Sequence, residues 1–410
     1  MGISKRLLEE VQERGYSPVE DTYACSRCIQ DSSLKSYMKD YTVRGVCSYC
    51  QRPRSVVDMN EIIEHVITSF YLEFGDPDNE GLGYETAEGG YQGKVYDAFE
   101  MVYDFGPDCS DDVLETIADS MDQRLWCKNN PYHLSYNQTL MAGWKSFSKF
   151  ITHTARFVFF RAENVNFSAE YDEINPIDIL EAISESVLKL DLLANLDKRT
   201  TIYRVRIVDP EEHCATASKL GPPPAALANM PNRMSPVGIP MFYGALDLAT
   251  AIAETFEIRC GSIKKAAVGE FFPTRKLNLV NLSEARFVPS LFDAERAHLR
   301  PYAKFMTEFL RDFTKPIERS DRAHADYVPT QVVTEYIRHI FRPEKGLRID
   351  GIIYPSSRTG KDAVVIFGDN SSCMDRDAKD RRDTLLILNR AYDVDPIPYV
   401  QPPREKRTRK

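Results

Sequence analysis

The sequence predicts an α+β protein, in which a cysteine-rich module and a helical region precede a mixed α/β domain. Three observations support this prediction. Four of the nine cysteines stand in two CxxC pairs near the N-terminus, apolar residues recur at helical spacing between positions 58 and 190, and short β-branched runs begin at Thr200. A chain of 410 residues with 43% hydrophobic composition can form two or three domains with substantial cores.

The two CxxC pairs predict a metal site. Cys25 and Cys28 are followed, after eighteen intervening residues, by Cys47 and Cys50. This spacing is typical of Zn²⁺ bound by four thiolates. Two disulfides are the alternative interpretation, which a reducing cytosol disfavours. Four protein ligands leave no coordination position open for a substrate, so we expect the zinc to be structural.

Helices dominate the prediction between residues 58 and 195. Segment 58–72 places apolar side chains at helical spacing, and Ser110 stands as a cap before the acidic first turn of a second helix. Two further helical segments lie within residues 137–160 and 176–190. The Gly- and Asp-rich segment between them and the first helix, residues 75–94, is predicted as a loop.

The second half of the chain alternates short strands with helices. Strands are predicted at residues 201–208, 267–272, 350–355 and 363–367, and helices at residues 305–313 and 330–341. The predicted organisation is an N-terminal helix near residues 4–14 with the cysteine module (1–57), a helical domain (58–195), a mixed α/β domain (200–390) and a basic tail (391–410).

Charge and hydropathy restrict the partners and the location. The net charge of −9 disfavours nucleic acid and anionic membranes as general partners, although a local basic patch stays open and residues 404–410 are basic. No run reaches the roughly 18 apolar residues of a membrane-spanning helix, and the N-terminus lacks the apolar stretch of a signal peptide. We therefore expect a cytoplasmic protein.

Four segments of the second half together resemble one known family. They are "YRVR" (203–206), "NRMSPVGIPMFYGALDLATAIAE" (232–254), "YVPTQVVTEYI" (327–337) and "DGIIYPSS" (350–357). In this order they resemble the RES domain, over residues 200–388. The resemblance implies an NAD-degrading toxin of ADP-ribosyltransferase-like fold, named for an Arg, a Glu and a Ser.

The first half resembles the HEPN-like helical region that precedes RES domains, mainly through "GWKSFSKFITHTARFVFF" (143–160). HEPN ribonucleases carry an Arg followed after four to six residues by a His on a helix, and the helical half lacks that pair. We therefore expect this region to serve in partner binding, dimerisation or control.

By resemblance, Glu254 is the family glutamate. Cleavage of the nicotinamide N-glycosidic bond of NAD⁺ develops positive charge on the ribose, and a carboxylate beside the sugar stabilises it. Tyr243 would place its ring against the flat, cationic nicotinamide. The alternatives are ordinary: Glu254 could belong to a solvated helical stripe with Thr250 and Glu257, and Tyr243 could be a half-buried strand aromatic.

The pyrophosphate of NAD⁺ needs fixed donors, and the planar fork of Arg binds phosphate bidentately. Arg204 matches the family arginine and Arg233 is a second candidate, although the alternation of Arg204 with Arg206 also suits a solvated strand face. Ser356 matches the family serine, with the adjacent Ser357 as the alternative assignment. A turn-forming role after Pro355 is the other interpretation of Ser356.

The function predicted from the sequence is an NAD glycohydrolase that acts as a toxin or defence effector, with NAD⁺ as substrate and structural Zn²⁺. Two alternatives stay open. One is an ADP-ribosyltransferase that modifies a macromolecule, and the other is a nucleic-acid-binding sensor with a degenerate RES domain. A regulatory protein or antitoxin, and a homo-oligomer, are left open as partners.

Overall fold

A computed structural model of the protein describes residues 14–87, 89–122, 124–161, 178–255, 265–316, 323–378 and 383–394, together with positions 11 and 174. Most of the helix predicted near residues 4–14 and the end of the basic tail lie outside the described residues. The fold is α+β, as the sequence predicts. The described residues form two compact units. The first comprises those up to Thr139 together with Val288–Lys304, and the second comprises the described residues from Leu140 to Phe287 and from Phe305 onward.

The first unit begins with a three-stranded antiparallel sheet in the order β1-β3-β2. Its elements are β1 (Tyr23–Cys25), α1 (Ser32–Met38), β2 (Val43–Val46), β3 (Pro53–Asp58) and α2 (Met59–Phe70). The carboxylate of Asp58 caps α2 by accepting a hydrogen bond from the backbone N–H of Asn60. The helix predicted over residues 58–72 is confirmed, because α2 buries the apolar stripe on which the prediction depends.

The rest of the first unit combines helices with very short strands. The elements are β4 (Phe74–Gly75), β5 (Tyr84–Glu85), β6 (Gly90–Tyr91), α3 (Ala98–Phe105), α4 (Asp111–Ser120) and β7 (Cys127–Lys128). Ser110 precedes α4 as predicted, but its side chain forms no capping hydrogen bond. The segment predicted as a loop carries the β5–β6 hairpin, which is too short for local periodicity to reveal.

The second unit contains a large sheet and the helices that cover it. Its helices are α5 (Tyr136–His153), α6 (Ile179–Lys189), α7 (Ala217–Leu220), α8 (Leu248–Thr255), α9 (Arg300–Phe313), α10 (Ala323–Asp326) and α11 (Val328–His339); α5 belongs to this unit from Leu140 onward and α9 from Phe305 onward. Its strands are β8 (Leu193–Leu196), β9 (Ile202–Val208), β10 (Phe242–Ala245), β11 (Lys265–Pro273), β12 (Leu277–Asn281), β13 (Gly351–Pro355), β14 (Asp362–Ile366), β15 (Cys373–Asp375) and β16 (Leu386–Val394). Within the described residues these strands form one nine-stranded mixed sheet, in the order β15-β16-β11-β9-β10-β14-β13-β12-β8.

The sheet has two packed faces because side chains alternate along each strand. On one face, Ile352 and Val365 join the cluster formed by buried side chains of α5, α6, α9 and α11. On the other face, Phe242, Val364 and Phe271 belong to a second cluster. The centre of the sheet is thus covered on both faces.

Two central strands of the sheet barely pair. Strands β9 and β10 are in register at a single position, Tyr203 opposite Ala245, whereas β9 pairs with β11 over seven positions. In the described part of the chain, β9 and β10 therefore diverge on the side of Tyr243. Among the same residues, no helix combines the length and the apolar composition needed to cross a membrane.

Candidate functional site

The four predicted cysteines form a candidate metal centre in the first unit. Their sulfur atoms all lie within 4.8 Å of one another, with Sγ–Sγ distances of 3.9 Å for Cys25–Cys28, 3.7 Å for Cys25–Cys50 and 3.8 Å for Cys28–Cys47. A tetrahedral ion with Zn–S bonds of about 2.3 Å places its sulfurs about 3.8 Å apart. The sulfurs are too far apart for disulfides and at the right separation for a four-thiolate zinc site.

The surroundings act differently on the individual thiols. Burial, together with the hydrogen bond to Cys47, raises the pKa of the Cys28 thiol. Cys25 and Cys47 are almost fully buried, so water does not compete with an ion for their sulfurs. Burial by itself raises the pKa of the Cys47 thiol, but the backbone N–H groups of Cys50 and Tyr49 outweigh this effect and hold the pKa at about 7. N–H donors to a sulfur are also what a bound thiolate uses to spread its charge.

In the second unit, Glu254 and Ser356 are in direct contact. Glu254 lies in the last turn of α8 with its side chain exposed, and Ser356 follows β13 with 3% of its surface exposed. The hydroxyl of Ser356 donates a hydrogen bond to Oε1 of Glu254. The same hydroxyl accepts from the backbone N–H groups of Arg358 (3.1 Å) and Thr359 (3.2 Å), so its direction is determined by the turn.

A second bond joins the same two elements. The hydroxyl groups of Thr250, one helical turn before Glu254, and Thr359 lie 2.9 Å apart. Thr250 is fully buried, and its backbone N–H is capped by Asp247. Two contacts, one turn apart, thus fix the register of α8 against the turn that carries Ser356. Ser357 is exposed and stands outside this arrangement.

Tyr243 and Tyr354 share one face of the sheet. The pairings of β14 with β10 and β13 place Tyr243 beside Val365 and Tyr354 beside Ala363, two residues apart on β14. Burial raises the pKa of Tyr243 to about 12, so its hydroxyl is a neutral donor, and it bonds Oγ of Ser235 at 3.0 Å. The carboxylate of Glu254 adds to the burial that raises the pKa of Tyr354, while Arg233 opposes it, so charges of both signs lie near this ring.

Arg233 is held by backbone carbonyls at the end of α9. Its guanidinium donates to the carbonyl oxygens of Phe313 (2.6 Å) and Lys315 (2.8 Å), and it lies 5.9 Å from the centre of the Tyr327 ring. Two of its nitrogens are therefore engaged within the protein. The side chain is half-buried, and its positive charge still lowers the pKa of Tyr243.

Helix α11 supports the loop that carries Arg233. The buried side-chain amide of Gln331 donates to the carbonyls of Asn232 (2.8 Å) and Ser235 (3.3 Å), and the hydroxyl of Thr330 donates to the carbonyl of Arg233. Ser235, positioned in this way, is the partner of the Tyr243 hydroxyl. The "YVPTQVV" segment thus connects to the predicted site through backbone carbonyls.

Arg204 lies on the opposite face of the sheet from Tyr243. Alternation along β9 and β10 puts it beside Phe242, and its guanidinium lies 5.1 Å from the centre of that ring. One nitrogen donates to the carbonyl of Tyr243 at 2.6 Å, where β9 and β10 diverge. Burial lowers the pKa of Arg204 to about 10, so the group stays charged at neutral pH.

The structure joins the predicted residues into two connected pairs. Glu254 contacts Ser356 directly, and Arg204 contacts the backbone of Tyr243. Sequence reasoning missed six neighbouring residues. Ser235, Thr250, Thr359, Thr330 and Gln331 form the hydrogen bonds described above, and Tyr354 shares a face of the sheet with Tyr243. All six except Thr359 fall within the four segments quoted above, but their roles depend on contacts between distant parts of the chain.

Comparison with known families gives two matches. Residues 41–165 match the model described as HEPN/RES N-terminal domain 1, and residues 201–389 match the model described as RES domain. The predicted resemblance is confirmed at the level of these families. No curated protein and no solved structure matches the chain significantly.

Proposed function

The chain contains a RES domain preceded by a HEPN/RES N-terminal domain, and from this premise we propose that it is an NAD glycohydrolase. RES domains are associated with NAD-processing enzymes, so NAD⁺ is the substrate expected at this site. The proposed reaction breaks the bond between nicotinamide and C1′ of the ribose and transfers the ADP-ribosyl group to water.

One observation carries the proposal, which is the hydrogen bond from Ser356 to Glu254. An exposed glutamate on a helix is normally free to change rotamer, and holding it costs side-chain entropy. Here a buried hydroxyl, itself bound by two backbone N–H groups, holds the carboxylate in one orientation. A preorganised carboxylate stabilises an oxocarbenium-like ribose more strongly than a mobile one, because no reorganisation is needed as the charge develops.

The other residues suit binding and orientation of the dinucleotide. Tyr243 offers a half-buried ring to the cationic nicotinamide, and its raised pKa keeps it neutral. Arg233 and Arg204 supply positive charge for the pyrophosphate, although each already donates to backbone carbonyls. We propose that they act on NAD⁺ through the donors that these contacts leave free.

An ADP-ribosyltransferase-like fold is part of the proposal. It is supported by the mixed sheet, in which β9 and β10 pair at a single position and then diverge. Arg204 is hydrogen-bonded across this division, and Glu254 lies on α8, the helix that follows β10. We propose that NAD⁺ binds along this division, where Arg204 meets the backbone of Tyr243.

A single assay tests the function and separates it from group transfer. The purified protein is incubated with NAD⁺, and nicotinamide, free ADP-ribose and ADP-ribosylated protein are resolved. Nicotinamide with an equal amount of ADP-ribose supports hydrolysis, whereas nicotinamide with modified protein identifies transfer. If NAD⁺ remains intact, the glycosidic reaction is excluded under the conditions of the assay and the RES domain acts as a binding module.

The cysteine module and the helical region receive a supporting role in this proposal. The four thiolates would hold a structural Zn²⁺ that stabilises the first unit, since no ligand position is left for a substrate. Toxin or defence activity, with a regulatory protein or antitoxin as partner, follows from the family and is proposed on that ground alone.

A further inference from the structure

Beside the cysteine cluster lies a concavity of about 560 Å³ whose charged lining is entirely basic. It is lined by Ser26, Arg27, Gln30, Lys35 and Arg54. Three cations thus face one space in a chain whose net charge is −9. The charge of the concavity is thus opposite in sign to the net charge of the chain.

The cations of this concavity form no ion pair with any acidic side chain that the structure describes. Within the part of the chain that the structure describes, none of Arg27, Lys35 and Arg54 forms an ion pair or a side-chain hydrogen bond. The Nε–H of Arg54 is buried and unsatisfied, which is costly unless a ligand or water accepts from it. Asp31 lies near Lys35, but its oxygens accept from the backbone of α1 and from Ser290.

Neighbouring like charges repel, and water weakens this repulsion more for the exposed Arg27 than for the half-buried Lys35 and Arg54. An anion placed between the two guanidinium groups and the ammonium group would offset this repulsion. The planar fork of Arg binds two oxygens of either a carboxylate or a phosphate, and three cationic groups around one space favour phosphate, which offers more oxygens. The lining has no aromatic side chain on which a base could stack, so the recognised group is the phosphate itself.

We propose that this concavity, formed by Arg27, Lys35 and Arg54 on the cysteine module, binds the phosphate groups of a nucleotide or a nucleic-acid strand. Arg27 stands between Cys25 and Cys28, so binding of the ion and placement of this cation depend on the same turn. This proposal is independent of the reaction proposed for the RES domain, whose candidate residues lie in the other unit.

The test uses the full-length, metal-containing protein and two probes, inorganic pyrophosphate and a fluorescently labelled single-stranded RNA of about ten nucleotides. The test variant is Arg27→Gln with Lys35→Gln. The matched control is Arg44→Gln with Arg52→Gln, which removes two exposed charges from the same module outside the concavity. Should the test variant lose its metal or its cooperative melting, Lys35→Gln alone replaces it.

We expect salt-dependent binding of at least one probe, weakened about tenfold or more in the test variant and less than about twofold in the control, as loss of charge-assisted hydrogen bonds predicts. RNA binding much tighter than pyrophosphate binding identifies a strand as the source, and similar affinities identify a small phosphate ligand. Equal losses in both variants, or no binding of either probe by the wild type, would overturn the proposal. Binding that is lost in Arg233→Ala but kept in the test variant would place the binding site in the RES domain, and this result would also overturn the proposal.

Discussion

The hydroxyl of Ser356 is bonded at once to the carboxylate of Glu254 and to two backbone N–H groups of its own turn. The two residues are 102 positions apart in the chain. A serine that served only as a turn former would use the backbone contacts and leave the carboxylate free. Ser356 therefore connects the turn after β13 to the exposed end of α8, and its removal is predicted to affect both.

Ser356→Ala is expected to reduce NAD⁺ turnover by about tenfold or more, because Glu254 loses the donor that orients it. The two backbone N–H groups lose their acceptor as well, which lowers the free energy of unfolding by about 1–3 kcal/mol. Ser357→Ala is the matched control, since Ser357 is exposed and contacts neither group. Turnover and thermal melting of both variants decide the assignment, and a larger loss of turnover in Ser357→Ala would reverse it.

Arg204→Lys keeps the positive charge but loses the planar fork, so NAD⁺ affinity is expected to fall. The structure adds a second consequence, because Arg204 also donates to the Tyr243 carbonyl where β9 and β10 diverge. We therefore expect the melting temperature to fall together with the affinity. Arg206→Lys, on the same strand but bonded to Lys219 outside the division, serves as the control. Unchanged affinity and turnover in Arg204→Ala would remove Arg204 from the site.

Arg233→Ala is expected to weaken NAD⁺ binding less than Arg204→Ala does. Its guanidinium is engaged by the carbonyls of Phe313 and Lys315, so much of its contribution is to hold the loop before β10. Loss of these two bonds should lower the free energy of unfolding by about 1–3 kcal/mol. Calorimetric binding of NAD⁺ and denaturant melting measure the two effects separately. An affinity loss without any change in stability would make Arg233 a direct phosphate ligand.

Local pattern predicted the elements well where periodicity is clear. Helix α2, strand β9 and strand β13 each begin and end within two residues of their predicted bounds. Strands β8 and β12 went unpredicted, because neither contains the run of adjacent β-branched residues that marks the equally short β13 and β14. They become strands through pairing with each other and with β13, which is a tertiary effect.

The candidate site was likewise predicted only in part, because the sequence indicates its residues but not their contacts. Residue type and family resemblance indicate Glu254, Ser356, Tyr243 and Arg204, and their assigned roles stay predictions. The direct contacts between them could not be read from spacing, because they depend on how strands of one sheet are paired. Gln331 shows this limit clearly: its amide bonds carbonyl groups about 96 to 99 residues away, and backbone carbonyls leave no trace in the sequence.

Cys47→Ser is expected to abolish metal binding and to destabilise the first unit before it affects the glycosidic chemistry. Elemental analysis of the wild type should give about one zinc per chain, because four thiolates surround a single position. Cys109→Ser, a half-buried cysteine of the same unit outside the cluster, is the control and should keep its metal. Absence of metal from freshly purified wild-type protein would contradict the zinc assignment.

The decisive prediction concerns Glu254→Gln, for which catalysis and a solvated helical stripe predict opposite results. Gln keeps the length and helix propensity of the side chain, and its carbonyl oxygen can still accept from Ser356, so the fold and the orientation should persist. What is removed is the negative charge.

If that charge stabilises the oxocarbenium-like ribose, turnover should fall by roughly 100-fold or more, equivalent to about 2.7 kcal/mol, while melting temperature and NAD⁺ affinity change little. The measurement compares turnover, binding and melting of the variant with the wild type. Glu270→Gln, on a strand of the same sheet, controls for the loss of one negative charge and should leave turnover within about twofold. Normal turnover by Glu254→Gln would show that Ser356 orients a carboxylate with no part in the chemistry, and the mechanism would lose its central residue.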